Sequence, residues 1–153
     1  MVPETFSRCA LMKELPPDDV ARIYEAGAVR TFGAGETLIA EGQINTTLFV
    51  VLRGEVEVCL PDRDDRFSAV KLARLGPGSC VGEYSFIDRR PTSASVVSCA
   101  NGEVFLLSND ALSRVLAGDT ALERTIYRNL LVLMIDRLRE DNAALEMIRP
   151  RRK

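Results

Sequence analysis

Between residues 28 and 108 the chain is punctuated by turn residues at intervals of about 8–12 positions, and this spacing restricts the fold more than any other feature. Gly33-Ala34-Gly35, Gly42, Gly54, Pro61-Asp62 and Gly76-Pro77-Gly78 separate short apolar segments. Those segments are Ala28–Phe32, Thr37–Ala40, Thr47–Leu52, Glu55–Leu60 and Phe67–Leu75. Each has the length of a single strand and is too short for a buried helix. Within them Glu55-Val56-Glu57-Val58 alternates polar with apolar, as a half-buried strand does. Two further strands, Ser95–Ala100 and Glu103–Leu107, flank Asn101-Gly102, a dipeptide that favours a tight hairpin. Many short strands joined by such turns close into a barrel or a two-sheet sandwich. The glycines at 33, 35, 42 and 54 are expected to serve those turns rather than a ligand.

The flanks are helical. Phe6, Leu11 and Leu15 fall on one face of an N-terminal helix that Pro16-Pro17 ends. A second short helix begins at Asp18 or Asp19, carries Val20, Ile23 and Tyr24, and stops at Gly27. After the β region, Asn109 or Asp110 caps a short helix to about Leu116, and Gly118-Asp119 separates it from a long one that runs to Arg149-Pro150. In that last helix Tyr127, Leu131, Met134, Leu138, Asp141, Leu145 and Ile148 recur at steps of four and three. This is a coiled-coil type seam over about three heptads, broken once by Asp141. It fits either a core helix packed on its own domain or a homodimer contact through Leu131, Met134, Leu138 and Leu145. The dimer is the expected reading, because the second half of the helix reaches beyond what the β region can cover.

Composition excludes several classes. The chain has 153 residues, 46% of them apolar, enough for one cored domain. A net charge of −2 gives no drive towards nucleic acid or anionic membrane. Arg149-Pro150-Arg151-Arg152-Lys153 reads as a solvated tail. Histidine is absent, which removes the commonest general base and metal ligand. Cys9, Cys59, Cys80 and Cys99 are scattered, as free thiols of a cytoplasmic protein are, and no metal site is expected. No apolar run approaches the ~18 residues that span a bilayer. Asp62, Asp64 and Asp65 fall in a polar stretch between strands and read as a hairpin tip. No nucleophile with a paired base and no Walker-type loop is present, so an enzyme is not expected.

Residues 82–96, GEYSFIDRRPTSASV, are the most informative stretch. Gly82 permits close approach of backbone, and Glu83 opens a short helix whose free N–H groups can take an anion. Ser93 offers a hydroxyl and an N–H, and Ala94 another N–H. Taken with GETLIAEG at 35–42, LFVVLRGEVEV at 48–58 and LGPGSCVGEYSFIDRRPTSASV at 75–96, the chain resembles the cyclic nucleotide-binding domain family. That family includes bacterial catabolite activators, regulatory subunits of cAMP-dependent kinase and cyclic-nucleotide-gated channels. The resemblance covers about residues 10–140. It implies a mainly β fold with flanking helices: a double-stranded β-helix, or jelly-roll-like β-roll, with N-terminal helices and a long C-terminal helix. It also implies a division into residues 1–118, the β-roll, and 119–153, a hinge and dimerisation helix with a basic tail.

By that resemblance Gly82 and Glu83 hold the ribose 2′-hydroxyl, and Ser93 and Ala94 contact the cyclic phosphate, with Tyr84, Ser85 and Thr92 lining the same phosphate-binding cassette. Tyr127, with Arg128 and Leu131, is the candidate for covering the base. The departure is Thr92, where the family places an arginine on the phosphate. A charge-assisted bond of that kind contributes about 1.5–3 kcal/mol. Four readings stand: Arg89 or Arg90 substitutes; the ligand is a cyclic dinucleotide or another anion; cAMP or cGMP binds weakly through the Thr92 and Ser93 hydroxyls; or the domain no longer binds nucleotide and serves as a dimerising, protein-interaction module. The expectation is a regulatory domain with a cyclic nucleotide, cAMP or cGMP, as ligand and no covalently bound cofactor. Ligand would draw the helix at 83–89 inward and let the C-terminal helix re-dock about Ala117-Gly118-Asp119. Catabolite activators continue into a DNA-reading domain, for which this chain is expected to have no room.

Overall fold

A computed structural model describes residues 1–61 and 69–148. Eight strands make two four-stranded antiparallel sheets, one ordered β1-β8-β3-β6 and the other β2-β7-β4-β5. The strands are β1 (Ala28–Phe32), β2 (Thr37–Ile39), β3 (Thr47–Arg53), β4 (Val56–Leu60), β5 (Val70–Leu75), β6 (Cys80–Val81), β7 (Ser95–Ser98) and β8 (Gly102–Ser108). The chain alternates between the sheets, staying in one only from β4 to β5, and so winds as the double-stranded β-helix expected from the sequence. The stretch Asp62–Ser68, with the acidic cluster, and the basic tail from Arg149 lie outside the described residues.

Strand β3 shows why the roll forms. Its residues Leu48–Leu52 are all buried, with the alternate side chains going to two different cores. Leu48, Val50 and Leu52 pack with the helices, while Phe49 and Val51 pack between the sheets with Phe32, Ile39, Val56, Val81, Val96 and Val104. A period of two with both faces apolar is the pattern of a strand covered on both sides. Burial of each such side chain contributes about 1.5–3 kcal/mol.

Two expectations fail on the β side. The sequence misses β6, a two-residue strand that pairs Val81 with Phe49 and Cys80 with Val50. It also misplaces Asn101-Gly102. Strands β7 and β8 belong to different sheets, so this dipeptide is a crossover and not a hairpin turn. The glycine is required for a different reason: a Cβ on Gly102 would collide with the Arg53 carbonyl and the Phe32 ring. The hairpin signal reports a glycine, not the cause of it.

The N-terminal helix is shorter than its pattern suggests. Helix α1 (Glu4–Ser7) is one turn, and a 3₁₀ turn (Ala10–Met12) follows. Phe6, Leu11 and Met12 are buried all the same, because tertiary contact with β3, β8 and the last helix replaces helical periodicity. Phe6 packs edge-on to Phe105, ring centroids 4.6 Å apart. Helix α2 (Pro17–Ala26) starts at Pro17 rather than at an aspartate, since proline suits a first helical position. Helix α3 (Glu83–Asp88) follows β6. Helix α4 (Asn109–Leu116) is capped by Ser108, whose hydroxyl accepts from the Ala111 N–H at 3.1 Å, one residue earlier than expected.

Helix α5 (Thr120–Ile148) has two halves. Leu122, Ile126 and Leu130 are buried in the helix-side core, and Asn129 donates from Nδ2 to the carbonyls of Leu11 and Lys13, both at 2.8 Å. Beyond Leu133 the helix projects, with Leu138, Leu145 and Met147 exposed. The seam residues Tyr127 and Leu131 are exposed too, so the described fold uses a different stripe of α5 for its own core. No helix among the described residues is long and apolar enough to cross a membrane.

Candidate functional site

The site begins at β6, which delivers the chain to Gly82 in the left-handed region at φ 82°. A side chain at that position is strained by the backbone alone, and it is also crowded by Asn45 Nδ2 at 2.8 Å and the Thr47 carbonyl at 2.9 Å. Asn45 is held by its own bond from Nδ2 to the Thr47 carbonyl, 2.7 Å. The wall beside Gly82 is therefore polar backbone and an amide, with the Ile39 side chain at 3.1 Å on its apolar edge.

Glu83, the first residue of α3, is only 2% exposed. A buried carboxylate needs a partner, and it has one that the sequence reading did not anticipate. Arg137, from the second half of α5, donates through Nη1 to Glu83 Oε1 and through Nη2 to the Cys80 carbonyl. The guanidinium thus bridges the first residue of β6 and the start of α3. Removing one partner from such a pair typically costs about 3–5 kcal/mol. Burial pushes the neighbouring Cys80 thiol well above its usual range, with the Glu83 charge adding to the shift. Partial burial raises the Tyr84 hydroxyl as well, again with Glu83 contributing, although the residue remains largely exposed.

The rest of the loop is self-bonded. Ser85 is buried and donates its hydroxyl to the Arg90 carbonyl at 2.7 Å, closing the turn after α3. Arg89 ends α3 in the left-handed region, and both it and Arg90 are exposed, with the Arg90 N–H on Asp88 Oδ1 at 2.9 Å. The Arg89 guanidinium turns to α4, with Nη2 3.5 Å from Asn109 Oδ1. Thr92 is buried, and its hydroxyl donates to the Ala40 carbonyl at 2.6 Å. Its own N–H goes to the Gln43 carbonyl at 2.9 Å, and its carbonyl accepts from Gly42 at 2.8 Å. Thr92 is thus a stitch to the segment after β2, with its hydroxyl proton already committed. Ser93 is exposed and Ala94 partly so, and among the described residues their N–H groups have no acceptor.

Gly82, Glu83 and Ser85 lie at the start of α3, and Thr92, Ser93 and Ala94 lie in the segment between α3 and β7. Tyr84 and Tyr127 are exposed, and neither has a ring partner among the described residues. The segment expected as a hinge is hydrogen-bonded to its neighbours. Gly118 takes φ 76°, and Asp119 Oδ1 accepts from the Leu122 N–H at 3.1 Å. Arg22 of α2 donates to Asp119 Oδ2 at 3.2 Å and to the Val115 carbonyl at 3.1 Å. Backbone capping and then Arg22 hold the Asp119 carboxyl below its ordinary value. No group of three metal-ligating residues occurs among the described residues, and their four cysteines are free.

Arg137 was missed because it lies 54 positions from Glu83. A signal existed: Leu122, Ile126, Leu130 and Leu133 form the inward stripe of α5, and the next position of that stripe is Arg137. A charged residue on a buried stripe asks for a buried partner.

Known proteins share this architecture. The model of the cyclic nucleotide-binding domain matches residues 29–119. The chain is 34% identical to Glutaminase 2 of Bradyrhizobium diazoefficiens over 91% of its own length, but spans only 21% of that protein. A crystal structure of a cyclic nucleotide-binding domain from Methylobacillus flagellatus superposes with TM-score 0.85, 26% identity, and 97% and 83% of the two chains covered. The Thermus thermophilus catabolite activator protein superposes with TM-score 0.77 and 25% identity, over 91% of this chain and 62% of that one.

Proposed function

This chain belongs to the cyclic nucleotide-binding domain family, and we propose that it is a regulatory domain that takes a cyclic nucleotide, cAMP or cGMP, at the Gly82–Ala94 loop and passes the signal through α5. The observation that carries the reading is Glu83, a buried carboxylate at the first position of α3, upstream of Ser93 and Ala94, whose N–H groups have no acceptor among the described residues. An acidic acceptor and open N–H donors within one segment suit a ligand that has a hydroxyl next to a phosphate. Residues 119–153 act in this reading as the output segment, and the exposed seam at Tyr127, Leu131, Leu138 and Leu145 joins two copies in a homodimer.

Binding is expected to be weak. Thr92 brings no charge, and its hydroxyl is spent on Ala40. Loss of one charge-assisted bond corresponds to about 1.5–3 kcal/mol, or roughly tenfold to hundredfold in affinity. The same two facts favour a second reading, a dimerising module that no longer binds nucleotide. The cytoplasm is the compartment this reading expects.

Isothermal titration with cAMP, cGMP and cyclic di-GMP tests it, with Glu83→Ala as control. Binding of one ligand that is lost in the control supports the sensor. Silence with all three, also in Thr92→Arg, supports the non-binding module.

A further inference from the structure

Asn109 is expected from the sequence to cap α4, but Ser108 does that, and the Asn109 side chain bonds to α3 instead. Its Nδ2 donates to the Phe86 carbonyl at 2.9 Å, and its backbone N–H donates to the Thr46 carbonyl at 2.9 Å. One residue at the start of α4 thus holds the last turn of α3 and also Thr46, which lies between the two residues that crowd Gly82. The Phe86 carbonyl is an acceptor that α3 itself leaves open. The last four carbonyls of any helix lack an intrahelical donor, and α3 has only six residues. In a longer helix the Arg90 N–H would take the Phe86 carbonyl. Here Arg89 turns left-handed at φ 57°, and the Arg90 N–H goes to Asp88 Oδ1 at 2.9 Å. Phe86 is 1% exposed, so its carbonyl needs a protein donor, and Asn109 supplies it.

We propose that Asn109 is a positioning residue for the segment that carries Ser93 and Ala94: its amide caps α3 from outside the helix and fixes where the chain leaves it. Its effect on a ligand rests on the nucleotide reading given above; the cap on α3 does not. A helix this short does not hold by itself, so its last turn lies where its outside partners put it. From that turn the chain runs directly to Arg90, whose carbonyl accepts from Ser85 Oγ at 2.7 Å, and on to Thr92, which is bonded to Ala40 and Gln43. Within α4 the Asn109 side chain is dispensable. Alanine is at least as favourable in a helix as asparagine, and the Ser108 hydroxyl still caps α4 when the amide is gone. Asn109→Ala therefore removes the tie to α3 and spares α4, whereas Ser108→Ala weakens α4 and spares the tie.

Amide hydrogen exchange followed by NMR tests the cap without any ligand. The amides to watch are those of Phe86 and Arg89, bonded to the carbonyls of Gly82 and Ser85. In Asn109→Ala they are expected to exchange roughly 2- to 12-fold faster, the factor that one neutral hydrogen bond corresponds to, with residues 112–116 unchanged. In Ser108→Ala the first turn of α4 is expected to exchange faster and α3 to stay as it is. Unchanged α3 exchange in Asn109→Ala overturns the proposal. So does an equal rise throughout the core, which is general destabilisation, or an equal rise of α3 in Ser108→Ala. Titration with cAMP and cGMP then reads the consequence for the site. Asn109→Ala is expected to bind the nucleotide that the wild type takes more weakly, by a similar factor. Equal affinity with α3 loosened overturns the positioning role. If the wild type binds neither nucleotide, the nucleotide reading falls, and the exchange result alone upholds or overturns the cap. Should Asn109→Ala fold poorly, Asn109→Asp, of the same shape but with no donor for Phe86, is expected to loosen α3 in the same way, and no loosening would overturn the proposal.

Discussion

Replacing Leu138 by aspartate addresses the proposed homodimer most directly. Leu138 is 60% exposed in the single chain, so the substitution leaves the domain's own core untouched. Complete burial of a leucine contributes about 1.5–3 kcal/mol, and covering the exposed 60% of this one therefore contributes about 1–2 kcal/mol. A two-fold seam counts the residue twice, about 2–4 kcal/mol. That corresponds to a rise of roughly 30- to 700-fold in the dimer dissociation constant. Facing carboxylates across the axis add repulsion to the lost burial. Sedimentation equilibrium over a concentration series of wild type and Leu138→Asp measures the change, with thermal melting of the dilute proteins as the check on the fold. Nucleotide binding, where present, is expected to persist in the monomer. A variant that dimerises as tightly as the wild type would refute the seam. One that becomes monomeric and also loses ligand would refute the separation of output helix from ligand loop.

Ile126→Ala removes a fully buried side chain from the core shared by α5 and the N-terminal segment, and is expected to cost about 2–5 kcal/mol in urea unfolding. A loss under about 1 kcal/mol would mean that the first half of α5 is not packed as described. The depressed Asp119 carboxyl, held by the Leu122 N–H and then by Arg22, stabilises the fold above the unfolded-state pKa and ceases to as pH falls through the lower folded-state value. The melting-temperature gap between wild type and Asp119→Ala should be full at neutral pH and shrink in acid. A gap that does not change with pH would show that the charge is not what caps α5.

Most of the β-roll is legible in the chain because strand burial leaves a local trace. Leu48–Leu52 is apolar on both faces, and a strand covered on both sides has to be. The loop at 82–96 is legible for a similar reason: a left-handed turn, a helix start and a run of small residues are adjacent in sequence. Where the reading failed, the cause was not local. Asn101-Gly102 has the chemistry of a hairpin, yet its glycine is set by the approach of Arg53 and Phe32 from other strands. The Phe6–Leu15 stripe reads as one helix, but Asn129 claims the carbonyls of Leu11 and Lys13, and the backbone there is held by α5 rather than by its own turns.

The sequence by itself determined that this chain is a β-roll between helices, with a turn that opens on Gly82-Glu83 and a long final helix with an apolar seam. Those properties depend on residues within a turn or a strand of one another. Only the tertiary structure decided which groups of that turn are free. It placed the Thr92 hydroxyl on Ala40 and brought Arg137 from the far helix onto Glu83. Both follow from burial: once packing removes water from a hydroxyl or a carboxylate, it must take whatever partner the fold sets beside it, and that partner can come from any distance along the chain.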